Sequence, residues 1–144
     1  MKNYKLLTSA LLGSFLILMS CEKKITDNLS CNQIQLNKPF TAGIDDEFCL
    51  EGQDWKIKFG PFVEDSRCNV PTIQCVWAGR FVMGATITNN GEVLNDTFIA
   101  EHNWQDTLYN GPYKIILKTV KPEIRTSMEP LAPSAYSFEM LVTQ

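Results

Sequence analysis

Residues 64–80 have the sequence EDSRCNVPTIQCVWAGR, and this stretch organises the predicted fold. Cys68 and Cys75 lie seven positions apart, and Asn69 and Pro71 favour a turn between them. The two sulfurs can therefore meet, and a ring of this size stabilises a fold by about 2–3 kcal/mol when its geometry is unstrained. We interpret the stretch as a short disulfide-closed loop that leads into a long central strand.

The chain alternates after Cys75 in the manner of a half-buried strand. One parity is apolar and the other is polar: Trp77, Phe81, Met83, Ala85 and Ile87 against Arg80, Thr86 and Thr88. This period of two predicts a strand from about Gln74 to Thr88. We expect Trp77 to lie in the core beside the disulfide, as a tryptophan does in many small β-sandwiches.

Residues 1–20 form a predicted lipoprotein signal peptide. Lys2 and Lys5 give it a positive start, and the apolar residues 6–19 are too few to span a membrane comfortably. The segment ends in Leu18-Met-Ser-Cys21, which resembles the lipobox of bacterial lipoproteins. The resemblance implies that Cys21 is lipidated and becomes the mature N-terminus. The alternative is an ordinary signal peptide cut near Ser20.

Lipidation at Cys21 would anchor the protein to a membrane. Several acyl chains hold far more firmly than one, at about 0.8 kcal/mol per buried CH₂. Glu22 rather than an aspartate follows Cys21, so we expect the outer membrane of the cell envelope, with the periplasmic or surface face left open. Residues 21–31 are predicted to be a lipidated tether, and residues 32–144 a single domain.

Charge argues against one class of partner. The chain has a formal net charge of −3 at pH 7. Excluding residues 1–20, which carry Lys2 and Lys5 and no acidic residue, changes it to −5. A mildly acidic surface disfavours nucleic acid as a partner. The predicted partners are the membrane, through the lipid anchor, and an envelope protein or polymer.

Four cysteines follow Cys21: Cys31, Cys49, Cys68 and Cys75. An even number in an exported chain indicates two disulfides, and four cysteines allow three pairings. We favour Cys31–Cys49 with Cys68–Cys75, because each bond then joins neighbours in sequence. The chain has no C-x-x-C pair, so we predict neither a metal site nor a cofactor.

Further strand signals occur at short intervals. Besides the strand from about Gln74, we predict strands at 33–36, 47–50, 55–59, 93–100, 113–120 and 136–143. The 55–59 strand should end at Gly60-Pro61, and Asn90-Gly91 should form a tight hairpin turn. Residues 42–46, 102–112 and 121–134 should be loops. The apolar run of 113–120 should be buried on both faces.

About seven strands without a helix predict an all-β fold. The expected architecture is a single antiparallel β-sandwich with immunoglobulin-like Greek-key topology. A small barrel is the alternative.

The motifs resemble those of a family of small secreted bacterial lipoproteins of unknown function. The resemblance rests on Phe40, Ile57-Lys-Phe59, Glu64-Asp-Ser-Arg-Cys68, Cys75-Val-Trp-Ala-Gly79 and Ile116-Leu-Lys-Thr-Val-Lys-Pro122. Members commonly carry a proline directly after the first cysteine of the central motif, where this chain has Asn69. The resemblance implies no activity, substrate or catalytic residue.

The candidate partner-contact loop comprises five residues: Arg67, Asn69, Val70, Thr72 and Ile73. The alternative interpretation is structural. In it, Asp65 and Ser66 bond nearby backbone, Arg67 pairs with a carboxylate, and Glu64 pairs with Arg80 across the loop base.

Other polar or aromatic residues are weaker candidates. His102 is expected in a solvated loop, and Trp104 is expected to cap the sandwich or to contact a ligand. The acidic group Asp45-Asp-Glu47 is expected in a solvated loop rather than around Ca²⁺. Asp106-Thr-Leu108 resembles a short bacterial O-glycosylation motif, which leaves modification of Thr107 open.

Two functions of different classes remain. The first is a non-enzymatic binding or interaction module tethered to the outer membrane. The second is a protease inhibitor that presents the Cys68–Cys75 loop. We predict no enzyme and no catalytic residue, because the sequence has no combination of acid, base and nucleophile that matches a known site.

Overall fold

The computed structural model describes residues 31–68, 70–101, 105–124, 127, 129 and 131–144. These residues form nine strands and one 3₁₀ turn, at Pro133–Ala135. The strands are β1 (Asn32–Ile34), β2 (Phe40–Gly43), β3 (Glu47–Leu50), β4 (Trp55–Asp65), β5 (Phe81–Asn89), β6 (Glu92–Ala100), β7 (Asp106–Asn110), β8 (Tyr113–Lys121) and β9 (Ser137–Thr143). The all-β class predicted from the sequence is confirmed.

The strands form two sheets that share one core. The first sheet has the order β1-β3-β4-β5-β6, and the second has the order β2-β9-β8-β7. β1 and β3 are parallel, and the other paired strands are antiparallel. The buried apolar residues of both sheets belong to a single cluster, so the described residues form a β-sandwich.

Period-two alternation builds this core. Alternate residues of β4, β5, β8 and β9 point inward and are almost fully buried: Trp55, Ile57, Phe59, Phe81, Met83, Ala85, Ile87, Ile115, Leu117, Phe138, Met140 and Val142. The Phe81 and Phe138 rings meet across the two sheets with their centroids 5.4 Å apart. Each large side chain buried in this way contributes about 1.5–3 kcal/mol relative to exposure.

The predicted hairpin turn at Asn90-Gly91 is confirmed. Asn90 has φ 50° and Gly91 has φ 81°, as a tight turn with two left-handed residues requires. The register pairs Asn89 with Glu92 and continues to Phe81 with Ala100. β6 therefore returns antiparallel to β5 along its whole length.

The prediction that a strand ends at Gly60-Pro61 is wrong. β4 passes through this pair by means of a bulge, because Phe59 pairs with Ala85 and Phe62 pairs with Met83. A bulge is one of the few places where a sheet tolerates proline. Across from it, a Cβ at Gly84 would lie 2.8 Å from the Gly60 carbonyl oxygen, so a glycine is needed there for the strands to approach.

The predicted start of the long strand, and with it the position of Trp77, is also wrong. β5 begins at Phe81, and 61% of the Trp77 surface is exposed. The hairpin arms extend past the end of the sandwich here, so the alternation of the sequence continues although the core does not. Of the two tryptophans that the structure describes, Trp55 fills the core and is 2% exposed.

Two edge strands conflict with predicted loops: β2 overlaps the start of the loop predicted at 42–46, and β7 lies within the loop predicted at 102–112. β2 pairs with β9, and β7 pairs with β8. Both are short and carry polar residues, so they show little periodicity, and their pairing partners determine their structure. β8 also differs from the prediction, because its burial alternates and its second face is only partly covered.

Candidate functional site: the tip of the β4–β5 hairpin

The β4–β5 hairpin continues beyond the last residues of both strands. The Ser66 amide donates to the Arg80 carbonyl over 2.8 Å, and the Cys68 amide donates to the Ala78 carbonyl over 2.7 Å. These bonds keep the two arms antiparallel beyond the sandwich. Residues 70–78 close the hairpin, and we call them the tip.

A disulfide closes the tip. The structure pairs Cys68 with Cys75, with 6.1 Å between their Cα atoms. It also pairs Cys31 with Cys49, at 5.8 Å. Both distances lie within the range of unforced disulfides, and both pairs are those favoured by the sequence. The first bond holds the tip as a ring, and the second fixes the start of β1 to β3.

A buried ion pair fixes the base of the tip. The Asp65 and Arg67 side chains are 0% exposed, and Arg67 donates from Nε to Oδ1 over 2.8 Å and from Nη2 to Oδ2 over 2.9 Å. Its Nη1 donates to the Val120 carbonyl over 3.1 Å, and its guanidinium carbon lies 5.5 Å from the centre of the Phe81 ring. Arg67 therefore ties the hairpin to β8 of the opposite sheet.

A second ion pair lies at the surface of the base. Arg80 donates to Glu64 Oε2 from Nη2 over 3.0 Å, and the Ser66 hydroxyl donates to Glu64 Oε1 over 2.7 Å. The hydrogen bond from Arg80, and after it the one from Ser66, lower the pKa of the Glu64 carboxyl below its usual value. The bond to Glu64 likewise raises the pKa of Arg80. The Ser66 hydroxyl also accepts the Arg80 backbone amide over 3.2 Å. The predicted backbone bond of Ser66 and the predicted Glu64–Arg80 pair are therefore both confirmed.

Gly79 allows the arms to meet. Its φ is +72°, and a Cβ at this position would lie 1.8 Å from the Ser66 carbonyl oxygen. No other residue has room there, because the obstacle is backbone. Steric exclusion of any larger residue thus explains why the Cys75-Val-Trp-Ala-Gly79 motif ends in glycine.

The tip exposes apolar side chains. Val76 is fully exposed, Trp77 is 61% exposed and Ile73 is 44% exposed. Residues 70–79 contain no charged side chain, in a chain of which 20% is charged. A ring and two ion pairs therefore hold an uncharged, apolar projection out in water.

The predicted contact loop is partly wrong. Arg67 is fully buried and Val70 is 5% exposed, so neither can contact a partner. Arg67 is buried because Asp65 neutralises it, and arginine is seldom buried without such a partner. Thr72 and Ile73 are exposed as predicted, and Asn69 lies outside the described residues.

Val76 and Trp77 form an exposed apolar pair that the sequence pattern does not predict. Both fall within the strand predicted from about Gln74, because the alternation of the chain includes Trp77. The signal that could have found them is the absence of charge across residues 70–79, because a solvated loop usually carries charged residues.

The remaining candidates have local roles or lie elsewhere. Asp46 accepts the Gly43 amide over 2.7 Å, and Glu47 lies 3.3 Å from the Lys56 ammonium. Asp106 accepts the amides of Ile99 and Thr107, which places the Thr107 motif within β7. Cys21, His102 and Trp104 lie outside the described residues.

No protein-family model, curated protein or solved structure matches this chain. In the described part of the chain, no helix has the length and hydrophobicity to cross a membrane. The same residues contain no group of three or more His, Cys, Asp or Glu side chains arranged to hold a metal ion. The geometry of the tip therefore carries the functional argument.

Proposed function

We propose that this protein is a lipid-anchored, non-enzymatic binding module of the bacterial outer membrane, and that the tip is its contact surface. The observation that carries the proposal is the exposure of Val76 and Trp77 on a rigid support. Exposed tryptophan adds nothing to the folded state, whereas a preorganised aromatic residue is a frequent centre of binding energy.

The support around the tip favours binding over a purely structural role. A disulfide alone would staple the hairpin without an exposed Val-Trp pair. The two bonds from Arg67 to Asp65 and its bond to Val120 orient the projection relative to both sheets. A surface held in this way loses little conformational entropy when it meets a partner.

The anchor is supported by the order of features in residues 1–21, which ends at the lipobox-like Leu18-Met-Ser-Cys21. A Cys21→Ser variant tests it, because lipidation requires the thiol. We expect the variant to leave the membrane fraction or to remain unprocessed. Fractionation with the outer membrane after a high-salt wash would contradict the anchor.

The contact surface is tested by photo-crosslinking from the full chain in its own cell envelope. A photoreactive amino acid replaces Val76 in one variant and Val93, an apolar residue of β6 that is 63% exposed, in the control. We expect adducts from position 76 that position 93 does not form. Equal labelling from the two positions, or none from position 76, would refute the tip as contact surface.

A protease inhibitor remains the second candidate, because residues 71–74 are exposed within a closed ring. It leaves Val76 and Trp77 unexplained, since both follow Cys75 and lie outside the ring. Assays against serine and cysteine proteases separate the two functions. Stoichiometric inhibition that is lost in a Thr72→Ala/Ile73→Ala variant would favour the inhibitor.

The immunoglobulin-like Greek-key assignment stays a prediction. The pairing of β2 with β9, the last strand, is a long-range return of the Greek-key kind. The consecutive neighbours β4-β5-β6 and β7-β8-β9 are instead meanders. The resemblance to small secreted bacterial lipoproteins likewise remains a proposal, which rests on the sequence motifs around Cys68 and Cys75.

A further inference from the structure

We propose that the partner of the tip is the bilayer itself: Ile73, Val76 and Trp77 insert into the interface of the membrane that holds the lipid on Cys21. This inference rests on the proposed function and names the chemistry that the tip recognises. It is argued from the composition of the tip, from the direction of β1 and from the length of the tether.

The composition of the tip suits a membrane interface. Its exposed apolar residues are two aliphatic side chains and a tryptophan, and tryptophan is enriched at the headgroup level of bilayers. Residues 70–79 carry no charge that would have to enter the apolar region.

The strand registers place the start of β1 level with Ile87, near the end of β5 that lies away from the tip. β4 runs toward the tip and pairs antiparallel with β3, and β3 is parallel to β1. β1 therefore runs away from the tip. Asn32 is therefore the residue of β1 nearest to the tip.

The length of the tether permits docking. Asn32 shares a row with Phe48, Ile57 and Ile87, and Trp77 lies ten residues before Ile87. At about 3.3 Å per residue, Trp77 is at most about 33 Å from that row. Cys21 and Cys31 are ten residues apart, which spans at most about 33–36 Å. An extended tether thus lets the tip reach the bilayer that holds Cys21.

The anchor makes a small contact sufficient. Three side chains would hold a free protein only weakly on a membrane. Once Cys21 is lipidated, docking of the tip is intramolecular and benefits from a high effective concentration. The result would be a domain held upright on the tip, with the turn at Asn90-Gly91, on the opposite end of β5, directed away from the membrane.

Tryptophan fluorescence of the full-length lipidated protein tests the inference. The protein is reconstituted into phosphatidylethanolamine–phosphatidylglycerol vesicles that contain brominated phosphatidylcholine, which quenches tryptophan at short range. A Trp104→Phe reference leaves Trp55 and Trp77 as emitters. A second variant adds Trp77→Phe, and a third adds deletion of residues 24–29, which shortens the reach of the tether to about 14 Å.

We expect brominated lipid to quench the emission of Trp77 in the reference protein, so that the remaining spectrum shifts toward that of Trp55. The emission of the Trp77→Phe variant should stay unchanged, because Trp55 is buried. The short-tether variant should lose the quenching while keeping the near-UV circular dichroism of the reference. Reference emission that brominated lipid leaves unchanged and that aqueous iodide quenches would overturn the inference. Equal lipid quenching with the short tether would overturn it as well.

A result that rules out insertion of the tip into the bilayer can be distinguished from a result that rules out the proposed function. Mass spectrometry of the reconstituted protein reports lipidation of Cys21 independently of docking. Protein or polymer adducts from position 76, together with iodide-accessible Trp77 on vesicles, would keep the tip as contact surface and overturn the bilayer as its partner. Lipid adducts from position 76 would support both.

Discussion

Asp65→Asn is the substitution that most sharply tests how the tip is held. It removes the carboxylate charge to which the Arg67 guanidinium, which is 0% exposed, donates from Nε and Nη2. Breaking a buried pair from one side costs about 3–5 kcal/mol. A domain of this size has about 5–15 kcal/mol of stability, so the loss would be a large part of the total.

Urea unfolding of the oxidised protein at neutral pH measures the effect. The matched control is Glu64→Gln, because Glu64 is the neighbouring residue and also pairs with an arginine, but at the surface. We expect the control to change the midpoint little. A double variant, Asp65→Leu with Arg67→Met, should recover most of the loss, since an apolar pair needs no counter-charge. Equal midpoints for Asp65→Asn and Glu64→Gln would refute the reasoning.

Three further predictions concern the same region. Trp55→Ala should lower the free energy of unfolding by about 3–5 kcal/mol, and Trp77→Ala by under about 0.5 kcal/mol; similar values in urea melts would contradict the assignment of core and surface. Gly79→Ala should cost about 2–6 kcal/mol, from left-handed strain and overpacking against Ser66, and thermal melts equal to wild type would disprove it. Because folding lowers the pKa of Glu64, ionised Glu64 stabilises the fold above the ordinary glutamate pKa, and this stabilisation is lost as pH falls through the lowered pKa. The difference in unfolding free energy between wild type and Glu64→Gln should therefore become smaller between pH 7 and about pH 3. A difference that grows as pH falls would contradict the direction of the pKa shift.

The sequence predicts the layers of this fold well where strands are buried on one face. β9 illustrates this, because Phe138, Met140 and Val142 are fully buried and the residues between and beside them include Ser137, Glu139 and Thr143. The Asn90-Gly91 turn was predictable for another local reason, the need for two positive φ angles. Local signals of this kind do not depend on the rest of the chain.

The errors come from features decided by distant contacts. Gly60-Pro61 interrupts a strand in sequence, yet a bulge against Met83 carries β4 through it. Trp77 continues an apolar alternation, yet it lies outside the core and 61% of its surface is exposed. Alternation reports which side chains share a face, and only tertiary structure decides whether that face is covered.

The bonds that hold the candidate site together could be predicted from the sequence, and the side chains that it exposes could not. The disulfide pairing and the Glu64–Arg80 pair follow from proximity in sequence. The burial of Arg67 depends on Val120, 53 residues further along the chain. Because Arg67 and Val70 are buried, Val76 and Trp77 take their place beside Thr72 and Ile73 as the exposed residues of the hairpin.

Oxidative footprinting of Trp77 in intact cells tests the central claim most directly. The internal control is Tyr109, which is 67% exposed and lies on β7 rather than on the tip. The account predicts that hydroxyl radicals modify both residues in the isolated protein, and that in the cell envelope Trp77 becomes protected while Tyr109 stays reactive. Modification of Trp77 to the same extent in both settings would contradict it.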